Sequence, residues 1–322
     1  MKKLLLTAIL VSVFCNAAGA QETCDGDAAF RVTILGSGTP VPLVDRFGAA
    51  TLVEVNGQNL LFDAGRGVAQ RIWQVGLPLR EIDTVFLTHL HHDHTIGLPD
   101  LLITGWLPPA FGQRAEPIPL MGPTKTSDLA RGIEAAWASD IAVRTADELL
   151  DPNAARFDVT ELHEGVVYEK DGVKVTAFPV DHGELIENTF GFVIEHNGRR
   201  VVLSGDTKYD ERVATMAEGA DLLVHAVAAA SNAVMASGDP RIARIFAHMA
   251  SPDDVGRIFA AAKPKVAALY HITQMPPNPP TPEEIVATIA EQYSSKVVAA
   301  VDLTCFTIGE TVTVGTRSST AH

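Results

Sequence analysis

Thr88-His89-Leu90-His91-His92-Asp93-His94 packs four imidazoles and one carboxylate into one short stretch. Nitrogen and oxygen donors at this density suit zinc, with iron or manganese as substitutes. The spacing divides them. His89 and His91 are two residues apart, so in extended backbone they point to one side and can hold one ion. Asp93 and His94 follow at a turn and can hold a neighbouring ion. His92 falls between the pairs and reads as exposed or supporting. A cluster of this kind needs firm flanks. Thr84-Val85-Phe86-Leu87 before it reads as a buried strand, and Ile96-Gly97-Leu98-Pro99-Asp100-Leu101-Leu102 after it as the apolar start of a helix. The donors therefore leave the end of a strand, where open α/β sheets place their chemistry.

The same alternation of strand and helix runs through the chain. Strands are expected over 31–35, 50–55 and 59–62, with Asn56-Gly57 as a hairpin turn. Asp171-Gly172 joins a second hairpin (166–170 with 173–178) and Asn197-Gly198 a third (190–195 with 200–203). A short buried strand is expected at 222–224, and another at 266–269 that ends at His271. Helices are expected over 66–73 and 126–137. Two more begin at Ser251-Pro252-Asp253-Asp254 and Thr281-Pro282-Glu283-Glu284, where a capping hydroxyl, a proline at the first helical position and acids in the first turn coincide. The pattern alone gives an α/β class.

Residues 1–20 read as an export signal. Lys2 and Lys3 precede an apolar run from Leu4 to Phe14 that is too short to span a bilayer, and Ala18-Gly19-Ala20 offers a cleavage site before Gln21. Residues 21–322 then suit a single domain in the periplasm or outside the cell. Cleavage removes Cys15 and leaves Cys24 and Cys305. That even number suits a bridge in an oxidising compartment, with two separate thiols as the alternative. The chain carries 25 Lys and Arg against 39 Asp and Glu, a net charge of −14. Such a surface repels polyanions, so neither nucleic acid nor an anionic membrane is expected as a partner.

His89-x-His91-x-Asp93-His94 resembles the signature of the metallo-β-lactamase superfamily, and further motifs match in order. They are Asp63 in Leu61-Phe62-Asp63-Ala64-Gly65, His182 in Phe178-Pro179-Val180-Asp181-His182-Gly183, Asp206 in Leu203-Ser204-Gly205-Asp206-Thr207, and His271 in Ala268-Leu269-Tyr270-His271. The resemblance runs from about Val32 to about Leu303. It implies a four-layer αββα sandwich with two metals at one edge of the two sheets. It also implies that His89, His91 and His182 bind one Zn2+, that Asp93, His94 and His271 bind a second (Mn2+ or Fe2+ being substitutes), that Asp206 bridges them, and that Asp63 orients the metal loop. A hydroxide between the ions would be the nucleophile, with Asp93 orienting it or taking its proton.

His248 resembles the proton donor of the ribonuclease Z-like branch. Two departures from that branch stand out. Its His-Glu-Ala-Thr is His225-Ala226-Val227-Ala228 here, so Ala226 offers no side-chain support to His248, and His225 reads as structural. The arm of the tRNA-processing members, between the third and fourth metal motifs, is reduced to a short hairpin over 190–203.

Gly36-Ser37-Gly38-Thr39-Pro40 and Gly105-Trp106 look like the exported arylsulfatase-like subgroup. Trp106 and Phe111 are placed against an aryl group, with a core position as the alternative for Trp106. The stretch 229–245, rich in small residues, could border the pocket. The expectation is a binuclear zinc hydrolase of a small ester, a sulfate or phosphate ester with an aryl leaving group, acting without nucleic acid or membrane and open to self-association. Three alternatives stay open. One is a lactonase or β-lactamase acting on a cyclic carbonyl. Another is a di-iron redox protein, which retention of His91 speaks against. The last is a tRNA 3′-processing endonuclease, which the missing arm and acidic surface speak against.

Overall fold

The computed structural model describes residues 23–26 and 28–319. The expected export signal at 1–20 lies outside the described residues. Strands β1 (Phe30–Gly36), β2 (Ala50–Val55), β3 (Gln58–Phe62), β4 (Thr84–Phe86), β5 (Ile118–Gly122) and β6 (Phe157–Glu161) build most of one sheet. Strands β7 (Gly165–Lys170), β8 (Val173–Val180), β9 (Thr189–His196), β10 (Arg199–Leu203), β11 (Leu222–Ala230), β12 (Val266–Met275) and β13 (Val297–Ala299) build the other. The chain then returns to the first sheet through β14 (Thr304–Ile308) and β15 (Val312–Thr316). The strand orders are β15-β14-β1-β2-β3-β4-β5-β6 and β13-β12-β11-β10-β9-β8-β7. Both sheets are mixed: β3 to β6 and β10 to β13 run parallel, and the remaining pairs are antiparallel.

Helices α1 (Val68–Gln74), α2 (His92–Thr95), α3 (Leu98–Trp106) and α4 (Thr126–Asp147) belong to the first half. Helices α5 (Glu211–Met216), α6 (Asn232–Met235), α7 (Pro240–Phe246), α8 (Pro252–Ala262) and α9 (Pro282–Ala290) belong to the second. Each sheet is buried on both faces, and strand alternation sorts its side chains between two cores. In β11, Leu222, Val224, Ala226 and Ala228 enter the core between the sheets, whereas Leu223, Val227 and Ala229 pack outward with Val255 and Phe259 of α8. On the far side, Leu52, Leu61 and Val85 pack under Val68 and Ile72 of α1 and Leu98 and Leu101 of α3. The result is the four-layer αββα arrangement. Three rings join the sheets: Phe62 stacks on Phe86 with centroids 4.9 Å apart, and Phe192 of the other sheet meets them at 5.2 and 5.7 Å.

Local signals place the turns and caps well. Asn56-Gly57, Asp171-Gly172 and Asn197-Gly198 all have positive φ at both residues, the conformation of a two-residue hairpin turn. Ser251 with Asp254 and Thr281 with Glu284 form complete capping boxes. Three elements outrun the expectation. β11 continues through a run of alanines, which carry little strand preference of their own. β12 passes through His271 instead of ending there. α4 extends to Asp147, although its described buried residues are Thr126, Ala130 and Ile133. Its last turns have no apolar stripe to read, and ion pairs of Arg144 with Asp140 and Glu148 support them instead.

Cys24 and Cys305 form a disulfide that ties the start of the described chain to β14. No helix among the described residues is long and apolar enough to cross a membrane. The bridge encloses a loop of 281 residues, so its loss frees a large unfolded ensemble. Replacing both cysteines by alanine should lower unfolding free energy by about 2–4 kcal/mol in urea titrations.

Candidate metal centre

The donors sit where strands end. Asp63 follows β3, His89 follows β4, His91 caps α2, and Asp93 and His94 lie within α2. From the other sheet, His182 follows β8, Asp206 follows β10 and His271 lies in β12. All these side chains meet at one edge of the sandwich. His89 Nε2 is 2.9 Å from His91 Nδ1, and His182 Nε2 is 3.3 Å from the same atom. His271 Nε2 is 3.0 Å from Asp93 Oδ2, which lies 3.7 Å from His94 Nε2. Asp206 Oδ2 stands 3.5 Å from His94, 3.6 Å from His271 and 4.0 Å from His182. The sets His89, His91, His182 and Asp93, His94, His271 each bring three donor atoms within 4.8 Å of one another, and Asp206 joins His89 and His94 in a third. His92 is exposed.

A further carboxylate aims these rings. Asp63 Oδ2 accepts from His94 Nδ1 at 2.8 Å, and Oδ1 accepts from the Thr88 amide at 2.8 Å. The Thr88 hydroxyl donates to Asp63, so its oxygen is left to accept from His89 Nδ1 at 2.9 Å. His182 Nδ1 donates to the carbonyl of His248 at 2.9 Å. With Nδ1 engaged, each of these three rings turns its Nε2 inward, the atom that would bind a metal once free of its proton. Two backbone positions are held against their preference. Asp63 has φ 60° and His271 φ 46°, both in the left-handed region. His271 is the extra residue of a bulge, since β11 and β12 pair Ala226 with Tyr270 and then Val227 with Ile272. Strain of this kind costs of the order of 1–3 kcal/mol per residue and collects where function demands it.

The electrostatics call for a cation. Asp63, Asp93 and Asp206 are all buried, and buried carboxylates are costly without positive partners. Burial works against ionised Asp206, but His271 and His94 outweigh it and hold the carboxyl well below the usual range. Burial likewise opposes a charged His94, yet Asp63 and Asp206 hold it well above the usual histidine range. Burial, reinforced by His94, pushes His89 well below that range. His94 Nε2 and Asp206 Oδ1 are buried without a hydrogen-bond partner in the protein. The donor types, their convergence and these orphaned atoms fit divalent metal ions.

A cleft of about 340 Å3 opens over the cluster and includes His91, Asp93, His182, Asp206, His248 and His271. The His248 ring faces this cleft, its centroid 5.9 Å from that of His182. Gly183, with φ 109°, makes this approach possible, because a Cβ there would lie 2.4 Å from the His248 ring. Among the described residues no side chain hydrogen-bonds the His248 ring, in keeping with Ala226 at the supporting position. Trp106 and Phe111 are not at this cleft. Trp106 is buried against Ala154 and Ala155 and donates to the Asp151 carbonyl, and Phe111 packs on Trp73. The wall is built instead by Pro40, Val41, Ile245, Met249 and Met275, of which only Ile245 fell in a stretch expected to border the pocket. Pro40 ends the Gly36-Ser37-Gly38-Thr39-Pro40 motif, whereas Val41, Met249 and Met275 carry none.

His225 lies in the core, away from the cleft. It is fully buried on β11, its Nδ1 donates to the Ala226 carbonyl and its ring meets Phe259. Burial pushes its pKa down to about 4. As pH falls through the ordinary histidine value of about 6.5, the unfolded chain takes up a proton that the folded chain refuses until about pH 4. His225 should therefore remove about 3 kcal/mol of stability across that window. Urea midpoints measured against pH should fall less steeply in His225→Gln. At the cluster itself, Asp63→Asn leaves His94 without its orienting carboxylate. Metal affinity should drop about 10- to 100-fold in competition titrations with a chelating dye.

Residues 58–272 match the family described as the Beta-lactamase superfamily domain. A Ribonuclease Z of Mycolicibacterium gilvum is 41% identical over 199 residues, 61% of this chain and 68% of that relative. A Ribonuclease Z of Mycobacterium sp. (strain KMS) is 35% identical over 255 residues, 79% of this chain and 87% of that relative. Among solved structures, the short form of human tRNase Z aligns with TM-score 0.64 at 22% identity, covering 87% of this chain and 99% of that one. YhfI from Bacillus subtilis aligns with TM-score 0.66 at 17% identity, covering 89% and 99%. At such identities these structures speak for the fold.

The sequence relatives correct two expectations, hydrolysis of a small ester and exclusion of nucleic acid, because they carry the name of a nuclease. The exclusion rested on net charge, which sums the whole surface, whereas a phosphate chain meets only the local field of a cleft. The short hairpin between His182 and Asp206 likewise leaves the donor set intact. The chain belongs to the metallo-β-lactamase superfamily, in its ribonuclease Z-like branch, and is a metal-dependent hydrolase.

Proposed function

We propose that this protein hydrolyses RNA phosphodiesters in the manner its relatives' name describes, with the 3′ end of a tRNA precursor as the reference substrate. The observation that carries this reading is the 41% identity to a Ribonuclease Z in a chain that assembles the donor cluster beside His248. His89, His91 and His182 would hold one Zn2+, Asp93, His94 and His271 a second, and Asp206, within reach of both sets, would be shared. The pair of ions supplies Lewis acidity at the scissile phosphate and a water that is nucleophilic at neutral pH.

The protein's own groups do the rest. Asp93, buried in the cluster with its Oδ2 3.0 Å from His271 Nε2, can accept the proton of the attacking water. The water oxygen bonds to phosphorus, the bond from phosphorus to the departing ribose oxygen breaks, and that oxygen takes a proton. His248, at the same cleft, is the group placed to give it. Gly183 lets the His248 ring lie against the His182 loop, and the His248 carbonyl fixes His182. Proton donor and ligand are thus positioned together. The disulfide and the leader-like residues 1–20 support an oxidising compartment as the place of work.

The test is cleavage of an end-labelled precursor tRNA by purified, zinc-loaded protein. Cleavage next to the structured 3′ end is expected, abolished by chelation and restored by zinc. His248→Ala should keep its metal and lose about 10²- to 10⁴-fold in turnover. A zinc-replete protein that leaves the RNA intact would overturn the proposal.

A further inference from the structure

The motif Gly36-Ser37-Gly38-Thr39-Pro40 has a use that the donor cluster leaves unexplained. It opens a loop that leaves the end of β1 at Ser37, carries Thr39, Pro40 and Val41 to the cleft and comes back at Phe47. The two legs of this loop run backbone against backbone. The Gly38 amide donates to the Phe47 carbonyl at 2.7 Å. A Cβ on Gly36 would run into the Gly48 carbonyl, and one on Gly38 would lie 2.5 Å from the Phe47 carbonyl oxygen. The close approach therefore requires both glycines.

One side chain from far along the sequence closes the neck. Asp302 stands between β13 and β14, where the chain crosses from the second sheet back to the first. Its Oδ1 accepts from the Ser37 amide and the Ser37 hydroxyl, both at 2.8 Å. Its Oδ2 accepts from the Phe47 amide at 2.8 Å, and from Nη2 and Nε of Arg71 at 2.8 and 3.1 Å. Each oxygen thus holds one leg of the loop. The carboxylate is almost out of water, its side chain 5% exposed, so these charge-assisted bonds are strong and an acceptor missing there is costly. The segment beneath is fixed in turn, because the Leu303 amide donates to the Ile34 carbonyl of β1 at 2.7 Å. We infer that Asp302 is a positioning residue for the cleft, a clasp that holds the loop over 37–47 so that Thr39, Pro40 and Val41 stand as a fixed wall beside the metal centre.

The loop needs such a clasp because its tip cannot hold itself. Residues 40–45 are exposed, with Val44 at 92%, so the tip buries little apolar surface of its own. Its position is set at the neck. The neck also explains why the residue is an aspartate. An asparagine has the same shape but one acceptor oxygen, and its amide group would confront the N–H of either Ser37 or Phe47.

The experiment is hydrogen exchange followed by mass spectrometry on the zinc-loaded, full-length chain, with steady-state kinetics on the same samples. In wild type, which needs no substitution, the Ser37 and Phe47 amides should exchange about tenfold or more slower than those of Val44 and Asp45. In Asp302→Asn at full zinc content, exchange over 37–47 should rise about tenfold while 84–95 stays as in wild type. The kinetic arm rests on the ribonuclease reading. There KM for precursor tRNA should rise about five- to tenfold with kcat held within about twofold, because the wall is in place only part of the time. Arg71→Lys keeps a positive charge beside Asp302 and both of its bonds to the legs, so exchange and KM should stay near wild type. A Phe47 amide as fast as the tip overturns the inference, as does unchanged exchange in Asp302→Asn. So does a fall in kcat at constant KM, or a KM in Arg71→Lys as high as in Asp302→Asn, which would reduce the effect to a lost ion pair. A wild type that leaves the RNA intact overturns the ribonuclease reading alone, and the exchange rates then decide the clasp by themselves.

Discussion

Asp63 holds the centre together although it is not among the proposed ligands. Its carboxylate is buried, and it takes hydrogen bonds from His94 Nδ1, the Thr88 amide and the Thr88 hydroxyl. Through Thr88 it reaches His89 as well. One anion thus sets the tautomer of two rings, and through the Thr88 amide it fixes where β4 releases the chain into the histidine-rich turn. A carboxylate in that place has to be fully hydrogen-bonded or compensated. The left-handed backbone of Asp63 is the conformational cost of bringing it there.

The two halves of the molecule contribute unequal kinds of support. The first sheet delivers the histidine turn on short parallel strands packed under α1 and α3. The second delivers His182, Asp206 and His271 from longer strands. Between them Phe62, Phe86 and Phe192 form a rigid contact just behind Asp63 and the turn. Donor atoms that must converge to within a few ångströms cannot be carried by sheets that slide. The aromatic contact and the tightly filled core around it supply the stiffness the cluster needs.

Much of this was legible because it is local. The histidine spacing, the three Asn-Gly and Asp-Gly turns and the two capped helix starts each depend on a few neighbouring residues. His182, Asp206 and His271 were recognisable only by resemblance, since an isolated histidine or aspartate after a strand has no distinguishing period. What stayed hidden depends on chain segments that meet only in space. Trp106 looked like a ligand-facing aromatic, yet its indole N–H is satisfied by the Asp151 carbonyl. Met249, Met275 and Val41 form one wall from three separate places. The exclusion of RNA failed for the same reason, because composition counts charges without placing them.

The bulge at His271 reaches beyond that histidine. Before it, Ala268 and Tyr270 face the inter-sheet core and Leu269 faces outward; after it, Ile272 faces outward. The extra residue therefore reverses the phase of β12, and Thr273 and Met275 reach the cleft where Ile272 and Gln274 would otherwise point. Drawing His271 into the regular ladder would both turn its imidazole away from the cluster and exchange a thioether for a carboxamide at the opening. Reactivity and the character of the entrance are thereby bound to one irregularity in one strand, so neither can change by a slip of register there without the other.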